Sequence, residues 1–290
     1  MFHRLIPLME SRFALDGGAM FGIIPKPLWE KTNPADDLNR IRMAARCLLA
    51  VSDERVVLID AGMGTKWSPR EREMYAVQGH PNGLKDSLAA SGFRLDQVTD
   101  VVVTHLHFDH AGGLTQQHES GELHATFPNA THWIQRENWT WAHHPTLRDT
   151  GSYRPENFRI LGTADGAPIE FVDGPATLFP GLRVEPVHGH TPGMQLVHLD
   201  TPDAHTVFVA DLFPTRGHIQ PVWVMGYDLQ PLVAMREKQQ FLEDAQRHQW
   251  VLAFEHDPDD AFATVRFDGR RWQTDSVPVR AASPAVGEPG

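Results

Sequence analysis

Between residues 105 and 110 the chain reads His-Leu-His-Phe-Asp-His, and four of those six side chains are metal-ligand types. Imidazole nitrogen and carboxylate oxygen suit zinc, cobalt, iron or manganese better than calcium, which prefers oxygen throughout. The motif follows directly on Val101-Val102-Val103, an apolar run that predicts a buried strand. On a tight loop after that strand, His105 and His107 can point the same way and chelate one ion. Asp109 and His110 can then face a second ion beside it. Gly112-Gly113 come next, and without Cβ atoms they let the backbone turn under a crowded site. A run of surface histidines is the alternative, but it leaves the position of four ligand types behind a buried strand unexplained.

Two ions need more donors than this segment supplies, and three further strand ends offer them. Val187-His188-Gly189-His190-Thr191-Pro192-Gly193 presents a histidine in a Gly/Pro turn, with His190 favoured over His188 because it lies within the turn. Val207-Phe208-Val209-Ala210-Asp211 ends an apolar run in a carboxylate, and Ala253-Phe254-Glu255-His256 ends another in a histidine. An aspartate can bridge two ions because each of its oxygens can take one.

The elements that must position these residues alternate along the chain. Apolar runs at 47–51 and 56–59 flank the polar turn Ser52-Asp53-Glu54-Arg55, a hairpin signal. Val56-Val57-Leu58-Ile59 leads into the small-residue loop Asp60-Ala61-Gly62-Met63-Gly64. A helix is expected over 83–91 with Gly92 as its stop, a helical stretch near 131–142, and an irregular lid around 143–165. Strands are expected at 169–172, 182–187, 194–199, 205–210 and 250–254, and the longest helix around 229–247. Residues 1–45, broken by Gly17-Gly18, Pro25, Pro27 and Pro34, read as short strands and an extended arm. One domain over 1–275 with a loose tail over 276–290 follows, and alternating strands and helices suit a layered α/β sandwich.

Composition narrows the partners. The formal net charge is −11 over 290 residues, which disfavours nucleic acid as a substrate. The single cysteine, Cys47, excludes an intramolecular disulfide framework and reads as an inert buried thiol. The N-terminus lacks a signal-peptide apolar run, and no stretch approaches the ~18 apolar residues of a membrane helix, so a soluble cytoplasmic protein without a membrane partner is expected.

With these residues placed, the chain resembles the metallo-β-lactamase fold superfamily from Leu58-Ile59-Asp60-Ala61-Gly62 through His256. The resemblance implies a four-layer αβ/βα sandwich with two divalent metal ions, zinc first and cobalt, iron or manganese as alternatives, at one edge of the sheets. It implies that His105, His107 and His190 hold the first ion, that Asp109, His110 and His256 hold the second, that Asp211 bridges, and that Asp60 supports the site from behind. His107 stands where oxygen-reducing diiron relatives carry glutamate. Asp211 stands where true β-lactamases place Cys or Ser. Asp16-Gly17-Gly18-Ala19-Met20-Phe21-Gly22, Pro25-Lys26-Pro27-Leu28-Trp29 and Pro221-Val222-Trp223-Val224-Met225-Gly226-Tyr227-Asp228 are similar to quorum-quenching N-acyl-homoserine lactone lactonases and to the methyl parathion hydrolase branch.

The expected reaction is therefore opening of a lactone ring by a hydroxide shared between two ions, with Asp109 and Asp211 as catalytic carboxylates and Asp109 passing a proton to the leaving alkoxide. The alternatives are a phosphotriester, aryl ester or thioester hydrolase using the same site, and a binding protein that kept the fold without catalysis. Pro214 occupies the position where many such lactonases carry a substrate-binding tyrosine, with Tyr227 or His218 as candidate substitutes. Phe213, Trp223 and the tryptophans near 133–141 are candidates to line an acyl pocket. The resemblance also implies a homodimer with the 17–35 arm near the partner's site.

Overall fold

The computed structural model describes residues 1–118, 120–164 and 166–278. Its frame is two seven-stranded sheets. The first runs, in spatial order, Gln78–Gly79, Arg4–Asp16, Arg40–Val51, Val56–Ile59, Asp100–Val102, Thr131–Gln135 and Ile169–Val172. The second runs Ala176–Phe179, Leu182–Val187, Met194–Asp200, His205–Phe208, Val251–Ala253, Phe262–Phe267 and Trp272–Ser276. A small hairpin of Thr115–Gln117 and Leu123–Ala125 stands apart.

Alternation along the strands decides which side chains go between the sheets. Leu48, Ala50, Val57, Ile59 and Val102 join Leu182, Val184, Leu196 and Val207 of the facing sheet in one apolar cluster. The intervening Cys47, Leu49, Leu58 and Val101 point the other way, onto Leu84 and Leu88 of the helix Leu84–Ala90. On the far side, Phe241, Leu242 and Ala245 of the helix Pro231–His248 cover the second sheet. The layers are thus helix, sheet, sheet, helix, as the alternating pattern predicts. Among the described residues no helix is long and apolar enough to cross a membrane.

Strand direction puts the chemistry at one edge. Val56–Ile59 and Asp100–Val102 are parallel, so Asp60 and His105 leave the first sheet side by side. Leu182–Val187 and His205–Phe208 are both antiparallel to Met194–Asp200, and Val251–Ala253 is parallel to His205–Phe208. The turns holding His190, Asp211 and His256 therefore share one edge of the second sheet. Main-chain hydrogen bonds join the two edges: Gln195 N to Thr104 O at 2.9 Å, Ala44 N to His256 O at 3.1 Å, and Arg46 N to Glu255 O at 3.2 Å.

Several expectations are corrected. Residues 131–135 are a strand, and helix begins only at Arg136 (Arg136–His143), because the β-prone Thr-His-Trp-Ile run pairs with both neighbours before the helix formers start. The first 45 residues hold one long strand, Arg4–Asp16, and two short helices, Gly17–Phe21 and Lys26–Trp29, and the next strand begins at Arg40. The hairpin Phe262–Phe267/Trp272–Ser276 went unread, although Asp268-Gly269 marks its turn. Ser276 closes that last strand, and the expected tail from residue 279 on lies outside the described residues.

Gly112 and Gly113 are small for a different reason than a sharp turn. A Cβ at Gly112 would overlap the Met63 carbonyl, and one at Gly113 the Ala61 carbonyl, so the two loops can touch only through glycine. Beneath the same 60–64 loop lies Glu10, 1% exposed, accepting from Met63 N at 3.1 Å. Burial pushes its carboxyl up to about 7, against hydrogen bonds that pull it down. A carboxyl raised on folding binds its proton more tightly in the native state, so stability falls as pH climbs from about 4.5 to about 7. Glu10→Gln is expected to be more stable than the parent above pH 7, by up to about 3 kcal/mol, with the gap closing near pH 5. Paired denaturant melts across pH 5–8 check this, and a gap that does not change with pH would refute it.

Candidate metal centre

The site assembles from both sheet edges. His105, His107, His190 and Asp211 each offer an atom within 4.8 Å of the others, and so do Asp109, His110 and His256. All seven residues are buried. Asp211 lies between the two groups. Its Oδ2 is 3.2 Å from His190 Nε2 and 3.9 Å from His105 Nε2, while its Oδ1 is 3.1 Å from His256 Nε2 and 3.5 Å from His110 Nε2. One carboxylate oxygen thus faces each set. His188 stays outside, with its half-exposed ring paired to Glu137 at 3.3 Å.

The outward faces of the rings are tied down. His190 Nδ1 lies 2.9 Å from Asp228 Oδ1, and His256 Nδ1 donates to the Ala44 carbonyl at 2.7 Å. His110 Nδ1 lies 3.0 Å from Asp60 Oδ2 and 2.8 Å from Glu255 Oε2. Asp60 also accepts from Thr104 N and Thr104 Oγ1, both at 2.6 Å. With these acceptors on Nδ1, each of the three rings carries its proton outward and turns an Nε2 lone pair inward. His110 Nε2 and His256 Nε2 then sit 3.1 Å apart, and His107 Nδ1 and His190 Nε2 also 3.1 Å apart. Between His110 and His256 the two lone pairs do not bond each other. Positive charge between them makes the approach favourable, and the donor set fits a pair of divalent cations.

Electrostatics agree. Burial, together with the neighbouring imidazoles, holds His105 and His107 well below the ordinary histidine value, which keeps both rings neutral and able to donate lone pairs. At His190 burial also lowers the value, but the Asp211 and Asp228 carboxylates outweigh it and lift the ring to about 9, so with no cation beside it the ring would hold a second proton in the place a cation would take. Asp60, Asp109, Asp211 and Asp228 are buried around these rings, so the site draws cations, while burial pushes the Glu255 carboxyl well above its ordinary value. His105 Nε2 and Asp211 Oδ1 are buried with no hydrogen-bond partner in the protein, as expected of atoms reserved for a ligand.

Backbone conformation contributes as well. Asp60 (φ 57°) and Ala210 (φ 43°) both adopt the left-handed region, which costs a non-glycine residue on the order of 1 kcal/mol. Both positions turn the chain sharply at a strand end, one aiming the Asp60 carboxylate at His110 and the other presenting Asp211. The His190 turn is pinned by the helix Pro231–His248: Glu237 accepts from His188 N at 2.7 Å and Gly189 N at 2.9 Å. A Cβ at Gly189 would overlap Ala234.

Comparison with known proteins agrees with this geometry. Residues 41–260 match the model of the metallo-beta-lactamase superfamily. The chain belongs to that superfamily. A probable metallo-hydrolase of Mycobacterium tuberculosis is 26% identical over 77% of this chain and 74% of its own. An N-acyl homoserine lactonase of Agrobacterium fabrum is 28% identical over 64% of this chain and 68% of its own. The crystal structure of a probable metal-dependent hydrolase from Staphylococcus aureus superposes with a TM-score of 0.85 at 27% identity, covering 98% of this chain and 99% of that one. As a metallo-beta-lactamase superfamily member, the protein is a metal-dependent hydrolase with a dinuclear site of His and Asp residues.

A cavity of about 260 Å³ opens onto the centre, with His107, Asp109, His190 and Asp211 at its floor. Its walls come from Leu15, Met20, Met43, Tyr75, Phe108, Met225 and Tyr227, and Arg148, Gly151 and Ser152 stand at the lid. Of the residues expected to line an acyl pocket, Tyr227 does so. Phe213 does not: it is fully buried against Phe241, with Lys238 over its ring. His218 is fully buried too, stacked on Phe21 at 4.2 Å and held by Met20 O and Thr215 Oγ1. Trp223 lines a separate cleft with Arg216 and Trp272. Trp133, Trp139 and Trp141 pack on Phe179, on Phe158 and Phe171, and on the second apolar cluster. Pro214 contributes its carbonyl, which accepts from His256 N at 3.1 Å. Of the 17–35 arm, Met20 lines this chain's own cavity.

Glu255, Asp228, Tyr75 and Arg148 were missed. Glu255 was legible as the neighbour of His256 in a strand-end Phe-Glu-His-Asp, and Asp228 closed a segment already singled out; the other two lie on loops with no motif. Because Asp228 orients His190 and fixes its proton, Asp228→Ala is expected to weaken metal retention roughly 10- to 100-fold. Competition with a chelator measures it, and retention equal to the parent would contradict the assignment.

Proposed function

We propose that the protein is a lactonase opening N-acyl homoserine lactones, with His105, His107 and His190 holding one divalent ion, Asp109, His110 and His256 the other, and Asp211 bridging. The observation that carries the ligand assignment is Asp211 itself, whose two oxygens face the two donor sets separately. Zinc is the ion first expected from the N/O donor set, with cobalt, iron or manganese as alternatives. Bound there, two such ions supply an activated water and Lewis-acid polarisation of the ester carbonyl.

The chain's own residues supply the rest. Asp109 lies at the cavity floor and is placed to hand a proton to the alkoxide released when the ring opens. Tyr227 lines the same cavity. Burial first, and the nearby Asp109 second, push its hydroxyl up to about 12, so it stays neutral and can donate a hydrogen bond to the substrate. That gives it the substrate-binding role left open by Pro214. Leu15, Met20, Met43 and Met225 form an apolar wall suited to a hydrocarbon chain. The lactone choice is supported by the 28% identity to the Agrobacterium lactonase. Retention of all seven donors speaks against a non-catalytic scaffold.

Metal analysis of purified protein is expected to find about two divalent ions per chain. A hydrolysis panel of acyl-homoserine lactones, simple lactones, a phosphotriester, an aryl ester and a glutathione thioester tests the substrate class. Turnover of the phosphotriester with no lactone opened would overturn the lactonase reading. His107→Ala and Asp211→Ala are expected to lower turnover by more than about 100-fold, beyond what losing a supporting group costs, with the fold kept by circular dichroism. Near-parental rates in either would remove that residue from the centre.

A further inference from the structure

The lid over the cavity is held rigidly, yet it carries one charged group with little to do. Its anchors are numerous. Tyr153 pairs with His107 through the backbone, and its hydroxyl lies 2.7 Å from Thr191 Oγ1, next to His190. The buried Asp149 carboxylate accepts from Trp141 Nε1 at 2.7 Å and from Thr146 N and Oγ1 at 2.8 and 2.6 Å. Arg148, beside Asp149, is thereby fixed at the cavity mouth. Its guanidinium donates to Gly226 O at 2.5 Å through Nη2 and pairs with no carboxylate among the described residues. Among the described residues it is also the only Lys or Arg side chain lining the cavity. A guanidinium carries five N–H donors in a flat fork, and the bond to Gly226 O leaves the others of the exposed Arg148 free for a ligand in the cavity it lines.

We propose that Arg148 is a substrate-binding residue that receives the carbonyl oxygen of an acyl-amide group attached next to the ring that is opened. Resting on the lactonase reading, this makes the preferred substrate class acylamino lactones rather than plain alkyl lactones. The cavity lining holds the groups such a molecule needs: the carboxylates Asp109 and Asp211, the apolar Leu15, Met20 and Met225 for the chain, and the Arg148 cation. A neutral acceptor fits better than an anion, because a chain of net charge −11 disfavours the approach of anionic substrates.

The test compares metal-loaded parent and Arg148→Met on three lactones of equal ring size and chain length. One carries the acyl amide, one a plain alkyl chain, and one a terminal carboxylate. Arg148→Met is expected to lower the amide-to-alkyl ratio of kcat/KM by about tenfold, mostly through KM, with Arg148→Lys recovering only part because the fork is lost. A ratio that stays within about twofold overturns the proposal, as does an equal loss on both substrates, which would mean that Arg148 only holds the lid to Gly226. A larger loss on the carboxylate substrate overturns it in favour of an anion site. A parent enzyme that opens no lactone at all overturns the lactonase reading itself, a result distinct from an unchanged ratio.

Discussion

Three main-chain hydrogen bonds, from Gln195, Ala44 and Arg46 across to Thr104, His256 and Glu255, stitch the edges of the two sheets together where the strands end. The chemistry of the protein depends on that seam. Neither sheet carries a complete donor set: the first supplies residues 105 to 110, the second His190, Asp211 and His256. Backbone bonds flank the site on both sides, so the imidazoles meet at fixed separations. The apolar cluster between the sheets provides the bulk of the adhesion, and the seam provides the register.

That arrangement brings many polar groups into a buried place, and each carries a partner chosen to leave one atom free. His190 has Asp228, His256 has the Ala44 carbonyl, and His110 has both Asp60 and Glu255. The partners set the tautomers, and the tautomers aim the lone pairs. The strained conformations at Asp60 and Ala210 belong to the same economy, since local backbone cost is accepted where it orients a carboxylate.

Much of this was legible in the sequence because it is local. A ligand motif directly after a valine run, and carboxylates or histidines at the ends of apolar runs, located the seven residues that the structure gathers into two groups able to hold an ion. The unbroken apolar run Val56-Val57-Leu58-Ile59 suits a strand covered on both faces, and its side chains enter both apolar clusters. The cavity was not legible in the same way. Phe213, His218 and Trp223 sit near Asp211 in sequence, but the chain turns their side chains away from the cavity, while Tyr75 and Arg148 reach it from distant loops and Met20 from the helix Gly17–Phe21. Thr131–Gln135 misled because a short strand runs without a break into a helix, and its parallel pairing with Asp100–Val102 is a tertiary fact. Motifs report what a residue can do, whereas a pocket wall is defined by what happens to be across from it.

The division of donors between the sheets also fixes when the site can exist. As the chain leaves the ribosome, the 105–110 loop emerges long before its counterparts. The set around His105 waits for Asp211, and the set around His110 waits for His256, 146 residues further along the chain. Both positions are complete only once residue 256 is out and the second sheet has closed on the first, so a shorter nascent chain holds histidines in plenty but no finished cage for an ion.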